Sequence, residues 1–233
     1  MPHAVEVDPR IWELRPDFVV TVVRARGLSN GPSDDSSTAL LRRAERTARE
    51  TLNGAEPATL PHIAAWRDAY GAFGAKAQRT PCSAEALLKR IVGGEGLPAI
   101  NRLVDLYNAV SVEFLLPVGG EDLARIAGAS RLTIATGAEP FDTLRSGEPV
   151  VENPTAGEVV WIDDAGVTCR RWNWRQCART RLTEQSTDAF FVLERLEPLP
   201  LLTLEHAAET LVRGLRDLGR PAELESWTLS RAR

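Results

Sequence analysis

The sequence predicts an α+β protein in which a helical first half packs on mixed or antiparallel sheets. Apolar residues recur at three- to four-residue spacing through much of the first hundred residues, which is the pattern of helices with one buried face. After Pro117 the pattern changes to short runs rich in β-branched residues, separated by turn residues. Strands and helices do not alternate strictly, so a doubly wound parallel sheet is not indicated.

The first half is predicted to begin with a strand and to continue with four helices. Phe18 to Arg24 is rich in β-branched residues and predicts the strand, which Gly27 ends. Ser33 or Asp34 can cap the helix that follows, and Asn53-Gly54 stops it. The other three helices are predicted at Ile63 to Phe73, Ser83 to Ile91 and Pro98 to Val112.

The second half is predicted to be mostly strands, with one late helix. Asp163-Asp164-Ala165-Gly166 has the composition of a hairpin turn and joins two of the strands. Thr203 is predicted to cap the helix, and Gly219 to end it. The strands are predicted at Arg131 to Ala135, Glu158 to Ile162, Val167 to Trp172 and Ala189 to Leu193, with Leu224 to Leu229 at a sheet edge.

The composition predicts a globular cytoplasmic protein with no metal or cofactor. With 233 residues, 43% of them hydrophobic, the chain can build a core of ordinary size. It has no run of about 18 apolar residues, and its amino terminus lacks the pattern of a secretion signal. Cys82, Cys169 and Cys177 lack paired spacing, so reduced thiols are expected rather than a disulfide framework or a zinc site. The histidines, at positions 3, 62 and 206, form no evident triad or metal set.

A stretch from Cys169 to Arg181 is the most unusual part of the sequence. It contains five arginines and two tryptophans and no acidic residue, although the formal net charge of the chain is −4. Arginine binds phosphates bidentately and indole rings stack on bases, so this composition suits a polyanion with planar groups. On a strand, Trp172 and Trp174 would share one face while Arg171 and Arg175 share the other. A solvated arginine face with inward-packed tryptophans is an equally open interpretation.

Several motifs, taken in order, resemble the B3/4 domain, the editing and tRNA-associated module of the phenylalanyl-tRNA synthetase beta subunit. The likeness covers roughly residues 60 to 195, within what is expected to be a single domain of residues 1–233. The later motifs resemble the free-standing members of that family. The motifs are Ser83-x-Glu85-Ala86-Leu87-Leu88-Lys89-Arg90, Leu97-Pro98-x-Ile100-Asn101-x-x-Val104-Asp105-x-x-Asn108-x-Val110, Leu116-Pro117-Val118-Gly119-x-x-Asp122, Gly137-x-Glu139-Pro140-Phe141, Gly157-Glu158-Val159-Val160, and Arg170 to Gln176 followed by Thr187.

The resemblance implies a free-standing hydrolase that cleaves the ester of a mischarged, aminoacylated tRNA. Such a reaction requires an oriented water and oxyanion donors rather than a protein nucleophile. The chain departs from the synthetase pattern at Tyr107, where the synthetase has threonine, and at Gly119, near which it has histidine. Trp172-Asn173-Trp174 replaces a glycine-rich loop. The amino acid specificity of the synthetase is therefore not carried over.

The candidate site residues follow from the same motifs. Asn108 is the candidate polar anchor, and Asp122 and Glu139 are the candidate carboxylates that activate water. Their structural alternatives are a backbone-capping amide and ordinary surface or capping acids. The candidate substrate- and tRNA-binding residues are Tyr107, Arg171, Trp172, Asn173, Trp174, Arg175 and Thr187. The alternative function is a non-catalytic module that binds tRNA or an amino acid; the acidic composition, with a pI near 5.6, disfavours broad affinity for RNA.

Overall fold

A computed structural model describes residues 4–231 and confirms the α+β class. The described residues form the α-helices α1 (Pro9–Leu14), α2 (Asp35–Leu52), α3 (Pro61–Ala72), α4 (Ser83–Val92), α5 (Arg102–Glu113) and α6 (Leu201–Gly219). Their strands are β1 (Val5–Val7), β2 (Val19–Arg26), β3 (Val118–Asp122), β4 (Ser130–Ile134), β5 (Phe141–Arg145), β6 (Glu148–Glu152), β7 (Val159–Asp163), β8 (Gly166–Arg170), β9 (Arg175–Gln176), β10 (Ala189–Arg195) and β11 (Glu223–Ser230). No helix in this range is long and apolar enough to span a membrane.

One sheet has four antiparallel strands in the order β11-β2-β10-β3. Its central strands are apolar on both faces, because each face is covered. On one face, Val23, Phe191 and Leu193 pack in a cluster with Leu211 and Leu215 of α6. The opposite face contributes to the larger core, which also contains α3 and the second sheet. The predicted edge position of β11 is confirmed.

The second sheet has five strands in the order β1-β4-β7-β8-β9, and β5 and β6 form a separate hairpin. The pair β1 and β4 is parallel, while the other neighbours are antiparallel. The predicted turn between β7 and β8 is confirmed: the Asp163 carboxylate accepts from the backbone N–H groups of Ala165 and Gly166, at 2.9 and 3.1 Å. Gly166 has a φ of +144°, and a Cβ there would collide with the Pro140 carbonyl oxygen.

The predicted helices of the first half are confirmed, and their ends have local causes. Asp34 and Ser37 form a reciprocal capping box at the start of α2, and Asn53 ends that helix in the left-handed conformation. The predicted start of α5 at Pro98 is wrong, because the Asn101 side chain accepts from the Val104 N–H and caps a helix that begins at Arg102. The predicted cap of α6 at Thr203 is also wrong, since Pro200 occupies that position.

The arginine and tryptophan stretch is not the continuous strand that the sequence predicts. Strand β8 ends at Arg170, and residues 171–174 form a tight turn that leads to β9. Arg171 and Trp172 have φ values of +49° and +68°, a costly conformation for residues with a Cβ. The turn is held by the hydrogen bond from the Trp172 N–H to the Val159 carbonyl, 2.7 Å. The expected face-sharing of Trp172 with Trp174 is therefore wrong.

Candidate functional site

A cavity of about 270 Å³ lies between the two sheets, beside the turn of residues 171–174. Strands β3 and β10 form one wall, strands β7 and β8 contribute another, and the first turn of α4 and the middle of α5 complete it. Most of the lining is apolar and aromatic, including Leu87, Val118, Trp161, Trp174, Phe190 and Val192. The polar and charged side chains in the wall are those of Ser83, Tyr107, Asn108, Glu121, Asn173, Arg175, Gln176 and Glu194. A cavity of this kind suits a small ligand with an apolar part and a few polar anchors.

Strand alternation places two glutamates in the cavity wall. On β10, Phe190, Val192 and Glu194 point to the cavity because side chains alternate in direction along a strand. On β3, Glu121 lies opposite Phe190, and Gly119 lies opposite Val192. A Cβ at Gly119 would be in ordinary contact with Val192, 3.6 Å from its Cγ2. Gly119 therefore leaves space in the cavity that a larger side chain would fill.

Glu194 is the best-anchored polar group in the cavity. It is 1% exposed; its Oε1 accepts from Trp161 Nε1 at 3.1 Å, and its Oε2 accepts from Asn173 Nδ2 at 2.7 Å. The side-chain oxygen of Asn173, Oδ1, accepts in turn from the Tyr70 hydroxyl, 2.8 Å away. Burial raises the pKa of Glu194 to about 8, although the Asn173 and Trp161 donors oppose the shift. This carboxyl is thus fixed in position and able to exchange a proton near neutral pH.

Glu121 is also buried, but one of its carboxylate oxygens has no hydrogen-bond donor among the described residues. It is 8% exposed, and no described residue donates a hydrogen bond to its Oε2. Burial raises the pKa of Glu121 to about 8, while the hydroxyls of Thr168 and Thr180 and the Arg179 charge act in the other direction. The cavity therefore contains two carboxyls with pKa values well above that of a solvated glutamate.

The structure brings six of the ten predicted site residues to this cavity. Asn108 is buried, and its amide makes no hydrogen bond within residues 4–231, so its donors and acceptor are free for a ligand. Burial raises the pKa of Tyr107 to about 12, so this phenol is neutral. Trp172 lines the cavity from within the core, where its ring contacts Phe18 and Trp66 with centroid distances of 5.0 and 5.3 Å. The other three residues are Asn173, Trp174 and Arg175.

Asp122, Glu139 and Thr187 do not line the cavity. The Asp122 carboxylate accepts from the Ser186 hydroxyl at 2.6 Å and from the Ala124 N–H at 2.9 Å, which fits the capping alternative. Glu139 accepts from the N–H groups of Thr136 and Gly137, at 2.8 and 3.0 Å. Thr187 is exposed, and its carbonyl accepts from the Leu28 N–H. The geometry favours local structural roles for these three residues.

Most arginines of the 169–181 stretch are paired within the protein. Arg170 binds the Glu158 carboxylate with two bonds of 2.9 Å, and Arg179 binds Asp163 with two bonds of 2.8 Å. Arg170 and Arg179 are therefore not free to contact a phosphate. Arg171 also lies near a carboxylate, with its Nε 3.7 Å from Glu158 Oε2, and its guanidinium lies over the Trp174 ring, 4.4 Å from the centroid.

Arg171 also lines a second concavity of about 420 Å³. Lys76 and Arg79, both exposed, lie in the segment that follows α3 and contribute positive charge to it. Glu158 contributes a carboxylate that Arg170 already pairs. Arg171, which lines this basic concavity, lies over Trp174, which lines the apolar cavity.

Sequence reasoning missed both cavity glutamates, although each had a signal. Glu194 follows Phe190 and Val192 at alternate positions of a predicted strand, which places a carboxyl on an otherwise apolar, buried face. Glu121 follows Val118-Gly119-Gly120, a run with weak strand propensity. Without the strand, the directions of Glu121 and Asp122 were not evident.

Comparisons with known proteins identify the family. A model of the B3/4 domain matches residues 65–205, more than half of the chain. The chain is also similar to the solved N-terminal fragment of the phenylalanyl-tRNA synthetase beta-subunit from Pyrococcus horikoshii, at 13% identity and a TM-score of 0.46. That match covers 97% of this chain and 50% of the fragment, so the chain spans half of the fragment's length. A comparison with curated proteins gives no match. The extent of the family match shows, as the motifs predicted, that the chain belongs to the B3/4 domain family.

Proposed function

We propose that this chain hydrolyses the ester bond of aminoacylated tRNA and so removes misattached amino acids. The family supports a tRNA-related role. The observation that carries the hydrolytic proposal is the cavity itself, which combines apolar walls of amino acid size with two buried carboxyls and the free Asn108 amide. The apolar walls suit the side chain of an aminoacyl group, and the polar groups suit its ester and amino ends.

We assign to Glu194 the role of the general base that activates the attacking water. Its ionised carboxylate accepts a proton from water, and the water oxygen bonds to the ester carbonyl carbon. The carbon–oxygen bond to the ribose then breaks, and the proton passes to the ribose oxygen, which gives a free amino acid and tRNA. The Asn108 amide is available as a donor to the developing oxyanion. The bonds from Trp161 and Asn173 keep the Glu194 carboxylate in one orientation, so the water is held in one place.

The test is to follow ester loss from a panel of aminoacyl-tRNAs that covers apolar, aromatic and small amino acids. The proposal expects accelerated hydrolysis of at least one member over the buffer rate, and little cleavage of the others. Hydrolysis of every member at the buffer rate, at both pH 7 and pH 8.5, contradicts it.

We further propose that residues outside 65–205 belong to the same unit, since β2 and β11 lie in one sheet with β10.

The basic concavity gives a prediction about salt. If Lys76, Arg79 and Arg171 contact phosphates, changing all three to glutamine flattens the slope of log affinity against log salt by roughly 2, at about 0.7 for each single-strand contact. Arg213→Gln is the matched control, because Arg213 is exposed on α6, across the four-stranded sheet from the cavity. Affinity for tRNA is measured at several salt concentrations. An unchanged slope in the triple variant excludes this surface as the tRNA contact.

A non-catalytic amino acid-binding module is the second candidate. Both oxygens of Glu194 already accept hydrogen bonds from the protein, which suits a fixed wall that holds a ligand as well as a base that activates water. Binding of the aminoacyl group without ester loss in the same panel assigns this function instead.

A further inference from the structure

Among the buried glutamates of residues 4–231, Glu121 alone lacks a cationic partner and also has a carboxylate oxygen that accepts no hydrogen bond. Glu45 receives an Arg42 guanidinium at 2.6 Å, and Glu85 receives Arg67 and Lys89 at 2.6 and 2.7 Å. Glu158 is paired with Arg170, and Glu194 accepts two N–H donors. Glu121 is also buried, and the hydroxyls of Thr168 and Thr180 interact with it, but its Oε2 accepts no hydrogen bond from residues 4–231. Glu85 Oε2 accepts none either, but two cations compensate the charge of that carboxylate. A buried carboxyl in this condition is costly unless a partner arrives.

The nearest protein cation cannot supply that partner. Arg179 lies close enough to Glu121 to affect its pKa, but two bonds of 2.8 Å commit its guanidinium to Asp163. Arg181 is the bridge partner of Glu121 along the backbone, and it is exposed. Glu121 lines the cavity, so a cation bound there lies next to this residue.

We propose that Glu121 binds the α-ammonium group of an aminoacyl ligand whose apolar side chain occupies the cavity. The inference rests on the proposed function only for the class of ligand. An ammonium group supplies both the charge and the hydrogen-bond donors that the carboxyl lacks, and a desolvated pair of this kind is stronger than an exposed one. Ligands without a free amino group leave Glu121 unpaired and are rejected, so Glu121 determines specificity.

Ammonium binding is coupled to proton release. Burial raises the pKa of Glu121 to about 8 in the unliganded protein, so the carboxyl is mostly protonated at pH 7. Binding of an ammonium requires the ionised form, so binding releases protons at pH 7. The titratable and charged side chains near Glu121 are Tyr107 on α5, Asp163 on β7, Cys169 on β8, and Cys177, Arg179 and Arg181 in the segment after β9.

The experiment measures binding of leucine amide and phenylalanine amide, which are not esters, by titration calorimetry at pH 7 in two buffers of different ionisation enthalpy. The matched ligands are the N-acetyl and desamino forms of each amide. The expected result is a preference for the free amine on the order of 100-fold and a net release of protons. Both effects are lost in Glu121→Gln and retained in Glu205→Gln, an exposed glutamate on α6.

Folding of the variant is checked by its stability. The pKa of Glu121 is higher in the folded protein than in the unfolded chain, so the folded state binds the extra proton. This carboxyl therefore lowers the stability as pH rises from about 4.5 to 8. Glu121→Gln removes that dependence, and a smaller decrease in melting temperature between pH 5 and pH 8 shows a folded variant. A variant that unfolds is replaced by Glu121→Ala with the same ligands.

The outcomes separate this inference from the proposed hydrolysis. A Glu121-dependent preference for the amine, with no cleavage of any aminoacyl-tRNA, supports the inference and rejects the hydrolase. Cleavage of free and N-acetylated aminoacyl-tRNA at equal rates supports the hydrolase and overturns the inference. Equal affinity for amine and desamino amides, or no binding of either amine, also overturns it.

Discussion

Glu194→Gln is expected to lower the rate of aminoacyl-ester hydrolysis by about 10²- to 10⁴-fold, the range for a positioned general base. The amide cannot accept the proton from water, and the side chain keeps its size. Its NH2 group faces either Trp161 or Asn173, both of which donate to the carboxylate, so one of these two hydrogen bonds is lost. Burial raises the pKa of Glu194 to about 8, and the reaction requires the ionised form. The wild-type rate above the buffer rate therefore rises with pH and levels off above about 8, and the variant lacks this titration. Single-turnover deacylation between pH 6 and pH 9 measures both.

Glu184→Gln is the control for that experiment, because Glu184 is an exposed glutamate outside the cavity. Its rate and pH profile should match those of the wild type. If Glu194→Gln retains the wild-type rate and the same rise with pH, the assignment of Glu194 is wrong. Glu121 then becomes the remaining cavity carboxyl that can accept the proton, and the matching Glu121→Gln profile decides between them.

The helices could be predicted from sequence because their signals are local. The capping box at Asp34, the left-handed Asn53 and the apolar spacing between them all lie within a few residues of the helix they define. Strand β3 could not be predicted in the same way. It contains Gly119 and Gly120, and it forms because its backbone pairs with β10, about seventy residues later in the chain.

The same contrast between local signals and long-range pairing explains which site residues could be predicted from the sequence. The motifs led to Asn108 and to residues 172–174 of the turn, which line the cavity, because these residues lie within the motifs that resemble the family. The carboxyls depended on side-chain direction, and a shift of one residue on a strand reverses it. Glu121 and Asp122 are adjacent on β3, yet Glu121 lines the cavity whereas Asp122 caps the following turn. Their different side-chain directions follow from the pairing of β3 with β10, which the sequence alone does not show.

Trp172 and Trp174 should respond differently to truncation, although they are two residues apart. Trp172→Ala is expected to lower the free energy of unfolding by about 3–5 kcal/mol, because its ring is fully buried against Phe18, Trp66 and Phe73. Trp174 is half-buried beneath the Arg171 guanidinium, so Trp174→Ala should cost no more than about 2 kcal/mol. Urea denaturation of both variants provides the comparison.

In the folded fraction of each variant, Trp174→Ala should weaken ligand binding more than Trp172→Ala does. Removing the Trp174 ring from the cavity wall should weaken binding of the aminoacyl group by roughly 1–3 kcal/mol, nearly independent of salt, because stacking and apolar contact carry little net charge. Trp172→Phe keeps an aromatic ring in the core and should recover part of the stability lost in Trp172→Ala. Equal stabilities for Trp172→Ala and Trp174→Ala, or a Trp174→Ala protein that binds phenylalanine amide as tightly as the wild type, contradict this division. The two indoles would then act as one unit, as their spacing on a strand predicts.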